Sequence, residues 1–494
     1  MRRKNSGLPG LGCLAPALAA CLWLTPSRAD EGRITGSDET RFSATRDGQV
    51  VDRFFETWVD LAYRKDAYLL DVGYEAHLPP APASRDTAGQ GIYNRTFGYS
   101  REGLDFKAGN YFAKLGNGLT LVAQRNRDVG FNTNLDGIYA GYAAPRLESK
   151  LMAGSPRDAA GRRYASLEAG ELRVPLPHGA FTGVTYVTTN TASVKNDYWG
   201  SLYAGINGTV GSLQVEWAAR SFVSGKSIGL VAEDYRSAFP EGKALYASGN
   251  LMLGDLALSA EGKHYRLFNL YEGAIYNSPP ACVREHVFSL PNKRQPVQNA
   301  DDEQGVHLSA EYPVIESGVL AFDYNKSLGV AKEFDLYEEY YGQFEYDAFT
   351  WCQGIAAAGT QTDLESRNLN FILQPSLPMG ERYGLKAEFQ HQHTTIALSR
   401  REFYSQHFAL SVERSSSLAL SLIAESTTDQ LEKSDLSLGA AKFWSGIQAN
   451  FTLAERLAVT LFAGSRRKGK VCAGGVCVQK PELKGMEAFM TSRF

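Results

Sequence analysis

Histidine is the residue type whose spacing most directly suggests chemistry in this chain. His391 and His393 lie two residues apart in an alternating stretch, and two histidines on one face of a strand can chelate a metal ion. The other residues of that face are apolar, and no further metal ligands can be identified from the sequence. We therefore prefer a histidine pair at a membrane interface over a metal site. The chain has no Gly-x-Ser-x-Gly elbow and no His-Glu-x-x-His motif. We therefore expect no enzymatic activity, and an outer-membrane hydrolase is the alternative.

Four of the 6 cysteines lie beyond the N-terminal segment. An even number in an exported protein indicates disulfides. Cys472 and Cys477 flank a glycine turn, which predicts one bridge, and Cys282 and Cys352 are expected to form the second. The Cys-x4-Cys spacing has no nearby histidine to complete a zinc site. Because the chain also lacks the Cys-x-x-Cys-His haem motif, we expect no cofactor.

Residues 333–341, EFDLYEEYY, form an acidic run rich in tyrosine. Carboxylate oxygens of this kind can bind Ca²⁺. More often, such a run is the solvated face of a loop or helix. We prefer the solvated interpretation and place the run in a long loop.

These residues must be positioned by β-strands, because apolar and polar residues alternate throughout the chain, as in Phe55–Tyr63. The longest alternating rows match the roughly 9–11 residues of a tilted membrane strand, and no apolar run approaches the roughly 20 residues of a spanning helix. A membrane protein without such helices must be a closed barrel. The terminal strand ends in Phe494 and is similar to the assembly signal of outer-membrane barrels. The predicted fold class is all-β, a transmembrane antiparallel β-barrel of about 20–22 strands.

The N-terminus has the pattern of an export signal. Basic residues precede a short apolar stretch and a small-x-small site, which predicts a signal peptide over residues 1–29. Lipoprotein processing at Cys21 is the alternative to cleavage after Ala29. No linker or change of composition follows, so residues 30–494 are expected to form one barrel domain. The net charge of -3 and the lack of a basic cluster give no support for nucleic-acid binding.

Short and long connections alternate along the predicted strands, as expected of short periplasmic turns and longer outer loops. The longest connections are predicted at residues 269–303 and 329–363, which carry Cys282 and Cys352, so both bridges are expected outside the cell. An even strand number requires a strand before Phe55–Tyr63, and residues 33–44 are the candidate. The predicted short turns include Arg64–Asp66, Glu102-Gly103, Pro145-Arg146, Pro177-His178, Gly254-Asp255, Ser415–Ser417 and Ala454–Arg456.

Residues 109–137 interrupt the alternation with glycine, asparagine and charged residues. Together with the preceding strand pair, this segment resembles an uncharacterised family of Gram-negative outer-membrane β-barrel proteins, which are porin-like. The resemblance implies topology and an envelope location but no activity. Its matching positions are Gly109, Asn110, Phe112, Gly116, Gly118, Leu119, Arg127, Asp128, Asn134, Asp136 and Gly137. A polar, turn-rich insertion can fold into a barrel lumen, and an ordinary outer loop is the alternative. The candidate constriction residues are Lys114, Arg125, Arg127, Asp128 and Asp136.

The predicted rows facing the lumen carry charges of both signs, such as Glu56, Lys107, Glu216 and Lys263. Charged lumen residues tune selectivity. We therefore predict a porin-like channel in the cell outer membrane for passive passage of small polar or ionic solutes. The alternative is a sheath for a partner protein, such as a multihaem cytochrome of an electron conduit. The expected partners are outer-membrane lipid and the barrel assembly machinery, and a periplasmic or extracellular protein is a further candidate.

Overall fold

The computed structural model describes residues 32–47, 50–78, 90–126, 131–157, 163, 165–190, 197–221, 241–268, 277, 280, 282, 285–293, 302–330, 335–349, 352–415, 417–432, 434, 436–453, 456–473 and 476–494. The predicted signal peptide, with Cys21, lies outside these residues. Within them, helical structure is confined to Pro177–Gly179 and Ser289–Asn292. No helix in this part of the chain is long and apolar enough to cross a membrane.

The strands are, in chain order, β1 Arg33–Asp47, β2 Val50–Lys65, β3 Tyr68–Leu78, β4 Gln90–Arg101, β5 Leu104–Tyr111, β6 Ala113–Leu115, β7 Leu121–Ala123, β8 Arg125–Asn126, β9 Phe131–Asn132, β10 Leu135–Ala144, β11 Leu147–Pro156, β12 Ser166–Pro175, β13 Ala180–Asn190, β14 Asp197–Asn207, β15 Gly211–Ser221, β16 Glu241–Leu253, β17 Leu256–Arg266, β18 Asp302–Ile315, β19 Gly318–Leu328, β20 Asp335–Phe349, β21 Cys352–Asp363, β22 Ser366–Met379, β23 Tyr383–Ile396, β24 Glu402–Arg414, β25 Leu418–Thr427, β26 Leu436–Leu438, β27 Ala441–Leu453, β28 Leu457–Arg466, β29 Gly469–Ala473, β30 Val476–Lys480 and β31 Leu483–Arg493.

Side chains alternate between the two faces of each long strand, with the apolar face outward. On β22, Asn368 and Asn370 are 1% and 2% exposed, whereas Leu369 and Phe371 beside them are 57% and 49% exposed. A soluble sheet would bury the leucine and the phenylalanine. An apolar outer surface around a polar interior is the pattern of a membrane barrel.

Twenty-four antiparallel strands of the described chain close into one barrel, which confirms the predicted fold class and corrects the predicted number of about 20–22 strands. The predicted first strand is present as β1, and it closes the ring against β31. Gly36 and Phe494 exchange backbone hydrogen bonds of 2.8 and 3.0 Å at this seam. A Cβ on Gly36 would lie 2.5 Å from the Phe494 ring, so the absence of a side chain allows the aromatic ring to pack there.

The barrel has a turn end, where strands are joined by very short connections, and a loop end. Predicted turns at Glu102-Gly103 and Gly254-Asp255 are found at the turn end, where Ser415 and Ser417 also lie. Most of the predicted turn Ala454–Arg456 lies outside the described residues. Asp66, Glu102, His178 and Ser415 have positive φ angles there, as several types of tight turn require.

The interpretation of residues 329–363 as one long loop is wrong. They contain β20 and β21, joined by a short connection at the turn end. The acidic run therefore lies largely in β20, with Glu339 buried and Tyr340 exposed. Its tyrosines and glutamates occupy both faces of the strand, which hides the alternation in the sequence.

The predicted Cys282–Cys352 bridge is absent, because both cysteines are free. Cys352 begins β21 at the turn end, whereas Cys282 belongs to the connection at the loop end between β17 and β18. Cys472 and Cys477 are directly opposite each other in the β29–β30 hairpin. The predicted bridge between them concerns side chains outside the described part of the structure.

Candidate functional site in the barrel lumen

Residues 112–126 and 131–134, hereafter the inward segment, belong to the connection between β5 and β10 and lie against the inner wall of the barrel. These two strands are neighbours in the barrel wall, and Gly109 pairs with Gly137 where the segment leaves and rejoins it. Gly109 has a φ of 100°, and a Cβ there would lie 2.1 Å from the Arg95 carbonyl oxygen. Only glycine fits this close approach, which explains physically why it belongs to the motif recognised in the sequence.

Asparagine and aspartate side chains hold the neck of the inward segment, that is, the place beside Gly109 and Gly137 where the chain leaves and rejoins the wall. Asn110 accepts a 3.0 Å hydrogen bond from the Arg95 backbone N–H. Arg163 donates to the Asn134 carbonyl oxygen at 3.2 Å and lies 3.7 Å from the Asp136 carboxylate. Burial lowers the pKa of Arg163 to about 10, although Asp136 opposes this shift. The motif therefore has a clear structural role, which is to fix the point where the chain turns inward.

Two wall carboxylates hold the tip of the inward segment. The Gly116 N–H donates to Glu171 at 2.9 Å, and the Asn117 N–H donates to Glu216 at 2.5 Å. Glu171 also accepts a 2.7 Å hydrogen bond from the Tyr203 hydroxyl. Because Glu171 and Glu216 are 8% and 0% exposed, these bonds compensate for carboxylates withdrawn from water.

Apolar packing and hydroxyl contacts fix the middle of the segment against the same wall. Leu115 and Leu121 are 0% and 1% exposed and pack in one cluster with Leu167 and Trp199. The Trp199 indole N–H donates to the Thr120 carbonyl oxygen at 2.7 Å. The Thr120 hydroxyl lies 2.9 Å from that of Thr185 on β13. The segment is therefore bonded to the inner wall over several strands.

The described members of the predicted constriction set, Lys114, Arg125 and Asp136, have separate contacts. The Arg125 guanidinium lies 3.5 Å from Asp60, donates to the Tyr93 hydroxyl and stacks 3.9 Å from the centre of that ring. Asp136 lies at the neck, and Lys114 has an exposed side chain. Arg127 and Asp128 lie outside the described residues. Glu171 was not among the predicted residues, because its only signal in the sequence is a charged residue on a strand.

A second part of the chain also lies against the inner wall, and no sequence pattern indicated it. Residues 285–293, hereafter the lumenal turn, belong to the connection between β17 and β18. The Leu290 N–H donates to Gln390 at 2.8 Å, and Gln392 donates to the Leu290 carbonyl oxygen at 3.1 Å. The Gln361 amide donates to the Pro291 carbonyl oxygen at 3.1 Å. Three amide side chains of the wall therefore bind main-chain atoms of this turn.

Side chains hold both ends of the lumenal turn. His286 lies 2.6 Å from the Glu339 carboxylate and stacks on Tyr341 with ring centres 3.9 Å apart. At the other end, Lys293 forms an ion pair with Glu425. Burial lowers the pKa of Lys293 from its ordinary value, and the carboxylate beside it opposes this shift.

The lumenal elements contact one another as well as the wall. The Asn277 side chain donates to the Leu119 carbonyl oxygen of the inward segment at 2.8 Å. Lys470, on the β29–β30 hairpin, forms an ion pair with Glu285 of the lumenal turn. Three connections that are far apart in sequence thus meet inside the barrel.

The histidine pair lies on the outer surface. His391 and His393 stack on Tyr404 with ring centres 5.7 and 4.7 Å apart. His393 also lies 3.4 Å from Glu402. Among the described residues, no group of three His, Cys, Asp or Glu side chains is arranged to hold a metal ion. Ring stacking and one carboxylate therefore account for the contacts of this pair.

The barrel is similar to solved structures of a pilus usher. The P pilus usher PapC translocation pore aligns with a TM-score of 0.55 and 9% identity, over 93% of this chain and 98% of that chain. A chain of the E. coli P pilus tip assembly intermediate PapC-PapD-PapK-PapG gives 0.55 and 10% identity, over 95% of this chain and 62% of that chain. At such identities, the likeness is one of fold.

No curated protein matches the sequence. Residues 27–334 match a family of unknown function, DUF6029. The match covers more than half of the 494 residues and includes the whole motif from Gly109 to Gly137. The resemblance to an uncharacterised family is thereby confirmed, and the chain belongs to the family of unknown function DUF6029.

Proposed function

We propose that the protein is an outer-membrane channel for passive passage of small polar or ionic solutes, narrowed by the inward segment. The observation that carries this proposal is the bonding of that segment to the polar inner wall through Glu171 and Glu216. A segment held there occupies the cross-section through which solutes would pass. Its exposed Lys114 and its Arg125–Asp60 pair would set the local charge.

The size of the ring supports the need for such a segment. Twenty-four strands spaced about 4.8 Å apart and tilted by about 40° would form a circle roughly 45–50 Å across between backbones. Side chains of the wall fill the interior of barrels of about 8 strands, and barrels of 16–18 strands already leave an aqueous channel. The lumenal elements would therefore decide how much of this ring conducts.

The proposal includes no catalysis by the protein. Its proposed setting is the lipid of the outer membrane, after insertion by the barrel assembly machinery. The apolar outward rows, such as Leu369 and Phe371, suit contact with lipid.

Single-channel recording in a planar bilayer tests the proposal. We would compare the refolded protein with a variant in which residues 115–133 are replaced by a short Gly/Ser linker. Stepwise currents that grow in the variant are expected, because the segment would no longer narrow the lumen. A matched control shortens residues 397–401 at the loop end, which should leave the steps unchanged. Absence of steps from all forms, in protein shown to be folded, would reject the channel.

A second candidate function, a sheath around a partner protein, is favoured only by the width of the ring. It predicts that the folded barrel alone carries no current, with or without the inward segment. The same recordings therefore separate the two candidates, since a channel must conduct without any partner.

A further inference from the structure

The inner wall recognises the lumenal turn mainly through its peptide backbone. Gln390 and Gln392, two residues apart on β23, bind the N–H and the carbonyl oxygen of Leu290. Gln361 on β21 binds the next carbonyl oxygen, that of Pro291. Two neighbouring side chains thus bind both main-chain polar groups of one residue. Such contacts recognise a peptide backbone and do not depend on one particular side chain. Main-chain bonds of this kind supply affinity in peptide-binding proteins, and side-chain pockets supply specificity.

Two pockets beside these amides select side chains. Phe288 is 1% exposed and packs in a cluster with Tyr341, Ala357 and Ile372, which belong to three adjacent strands. Five residues further on, the Lys293 ammonium pairs with the Glu425 carboxylate on β25. The wall therefore offers an apolar pocket and, on the other side of the amides, the Glu425 carboxylate, which pairs with Lys293 and also lies 3.4 Å from Arg467.

The lumenal turn is folded as a compact unit. The Asn292 side chain accepts from the His286 N–H at 3.0 Å and donates to the Phe288 carbonyl oxygen at 2.9 Å. These bonds close residues 286–292 into a turn with its own internal support. A short peptide of these residues contains every group that forms these bonds, so it can form the same turn when the wall binds it.

We propose that Gln361, Gln390, Gln392 and Glu425 form a peptide-binding site, occupied in this structure by the chain's own residues 286–293. The site takes peptides that carry an aromatic residue and, five positions later, a lysine. The lumenal turn is then an exchangeable internal ligand, and its displacement would widen the proposed channel. Only this last consequence rests on the proposed function.

Tethering makes the proposal quantitative. A linked segment has an effective concentration of about 1 mM at its own site. If the free site bound the peptide with a Kd of about 10 μM, the tethered turn would weaken binding of an added peptide about 100-fold. The unmodified protein should therefore hardly bind a peptide that the emptied site binds well.

Fluorescence anisotropy with a labelled peptide of residues 285–294, EHVFSLPNKR, tests the site. The full chain, with residues 285–293 replaced by Gly/Ser of equal length, should bind it saturably and about 100-fold more tightly than the unmodified protein. Peptides with Phe288→Ala or Lys293→Glu should lose at least tenfold in affinity. Folding is checked by heat-modifiable mobility. A second variant, Phe288→Gly with Lys293→Gly, is used if the replacement does not fold. It removes both anchoring side chains of the turn but keeps its main-chain bonds, so it should bind the added peptide at least tenfold more tightly than the unmodified protein.

Wall variants complete the test. In the emptied protein, Gln392→Ala and Glu425→Gln should each weaken peptide binding at least tenfold. Gln374→Ala is the matched control, because Gln374 lies on the same wall but donates to Glu388 at 2.6 Å instead of to the turn. The proposal is overturned if neither variant, once shown to be folded, binds the peptide. It is also overturned if a scrambled peptide binds equally well. Anisotropy needs no current, so this result stands apart from the success or failure of the channel.

Discussion

Replacing Glu171 and Glu216 together by alanine should release the tip of the inward segment. Each carboxylate accepts one backbone N–H of the Gly116-Asn117 turn, at 2.9 and 2.5 Å. A hydrogen bond to a charged group contributes about 1.5–3 kcal/mol. The double variant should therefore lose about 3–6 kcal/mol of attachment, which raises the population of the detached tip by about 10² to 10⁴. The Trp199–Thr120 bond and the packing of Leu115 remain, so the base of the segment should stay in place.

The assay is single-channel recording, with the fraction of time in a larger conductance level as the readout. The single variants should show intermediate fractions, and the double variant should show the largest. Glu148→Ala is the matched control, since Glu148 pairs with Arg173 at 3.0 Å and does not contact the segment. If the folded double variant has the same conductance distribution as the unmodified protein, then these two bonds do not hold a constriction, and the reasoning is refuted.

Three further predictions follow from individual residues. Gly109→Ala should lower stability by about 1–3 kcal/mol through backbone strain, because its Cβ would meet the Arg95 carbonyl oxygen at 2.1 Å. The measurement is the thermal midpoint of unfolding, followed by the heat-dependent change in electrophoretic mobility. Gly384→Ala is the control and should be nearly neutral, because its Cβ would have no atom within 4 Å. Burial raises the pKa of Cys282 to about 12, so about one in 10⁴ of its thiols is ionised at pH 8, against roughly a quarter for an ordinary cysteine. Alkylation located by mass spectrometry should therefore mark Cys352 first and reach Cys282 only as the pH rises towards its pKa. Equal alkylation rates at pH 8 would contradict the burial of Cys282. Arg125→Ala should leave Asp60 without the guanidinium 3.5 Å away and shift the reversal potential towards cation preference in a salt gradient, whereas an unchanged potential would mean that this pair lies off the conducting path.

Local sequence patterns predicted much of the fold, because a barrel strand is recognisable from its own residues. Alternation located β1 correctly, and turn residues located the predicted short turns that lie within the described residues. The strand number came out too low where β20 has tyrosine and glutamate on both faces and β21 contains Ala356-Ala357-Ala358, so that period two disappears. Glycine and asparagine spacing indicated that the strand pattern is interrupted between Gly109 and Gly137, but it left open whether this segment folds into the lumen or forms an outer loop.

The lumenal turn could not be predicted in this way. Leu290 binds Gln390 and Gln392, which lie 100 and 102 residues further along the chain. Glutamine on the polar row of a strand is unremarkable by itself, and its partner is revealed only when the ring closes. Contacts of this kind depend on tertiary structure, for which a single sequence carries no local signal.

The seam between β1 and β31 has a consequence for how the barrel assembles. Most wall strands pair with their neighbours in sequence, so the sheet can grow by one hairpin at a time. The seam joins Ser37 to Arg493 and Thr45 to Gly485, and closing a loop of about 450 residues costs roughly 5 kcal/mol of chain entropy. Until it forms, the sheet has two edges with unpaired backbone groups, which lipid cannot satisfy. Seam formation should therefore be the slow, late and cooperative step of assembly, and the packing of Phe494 over Gly36 should act on the rate of that step more than on any earlier one.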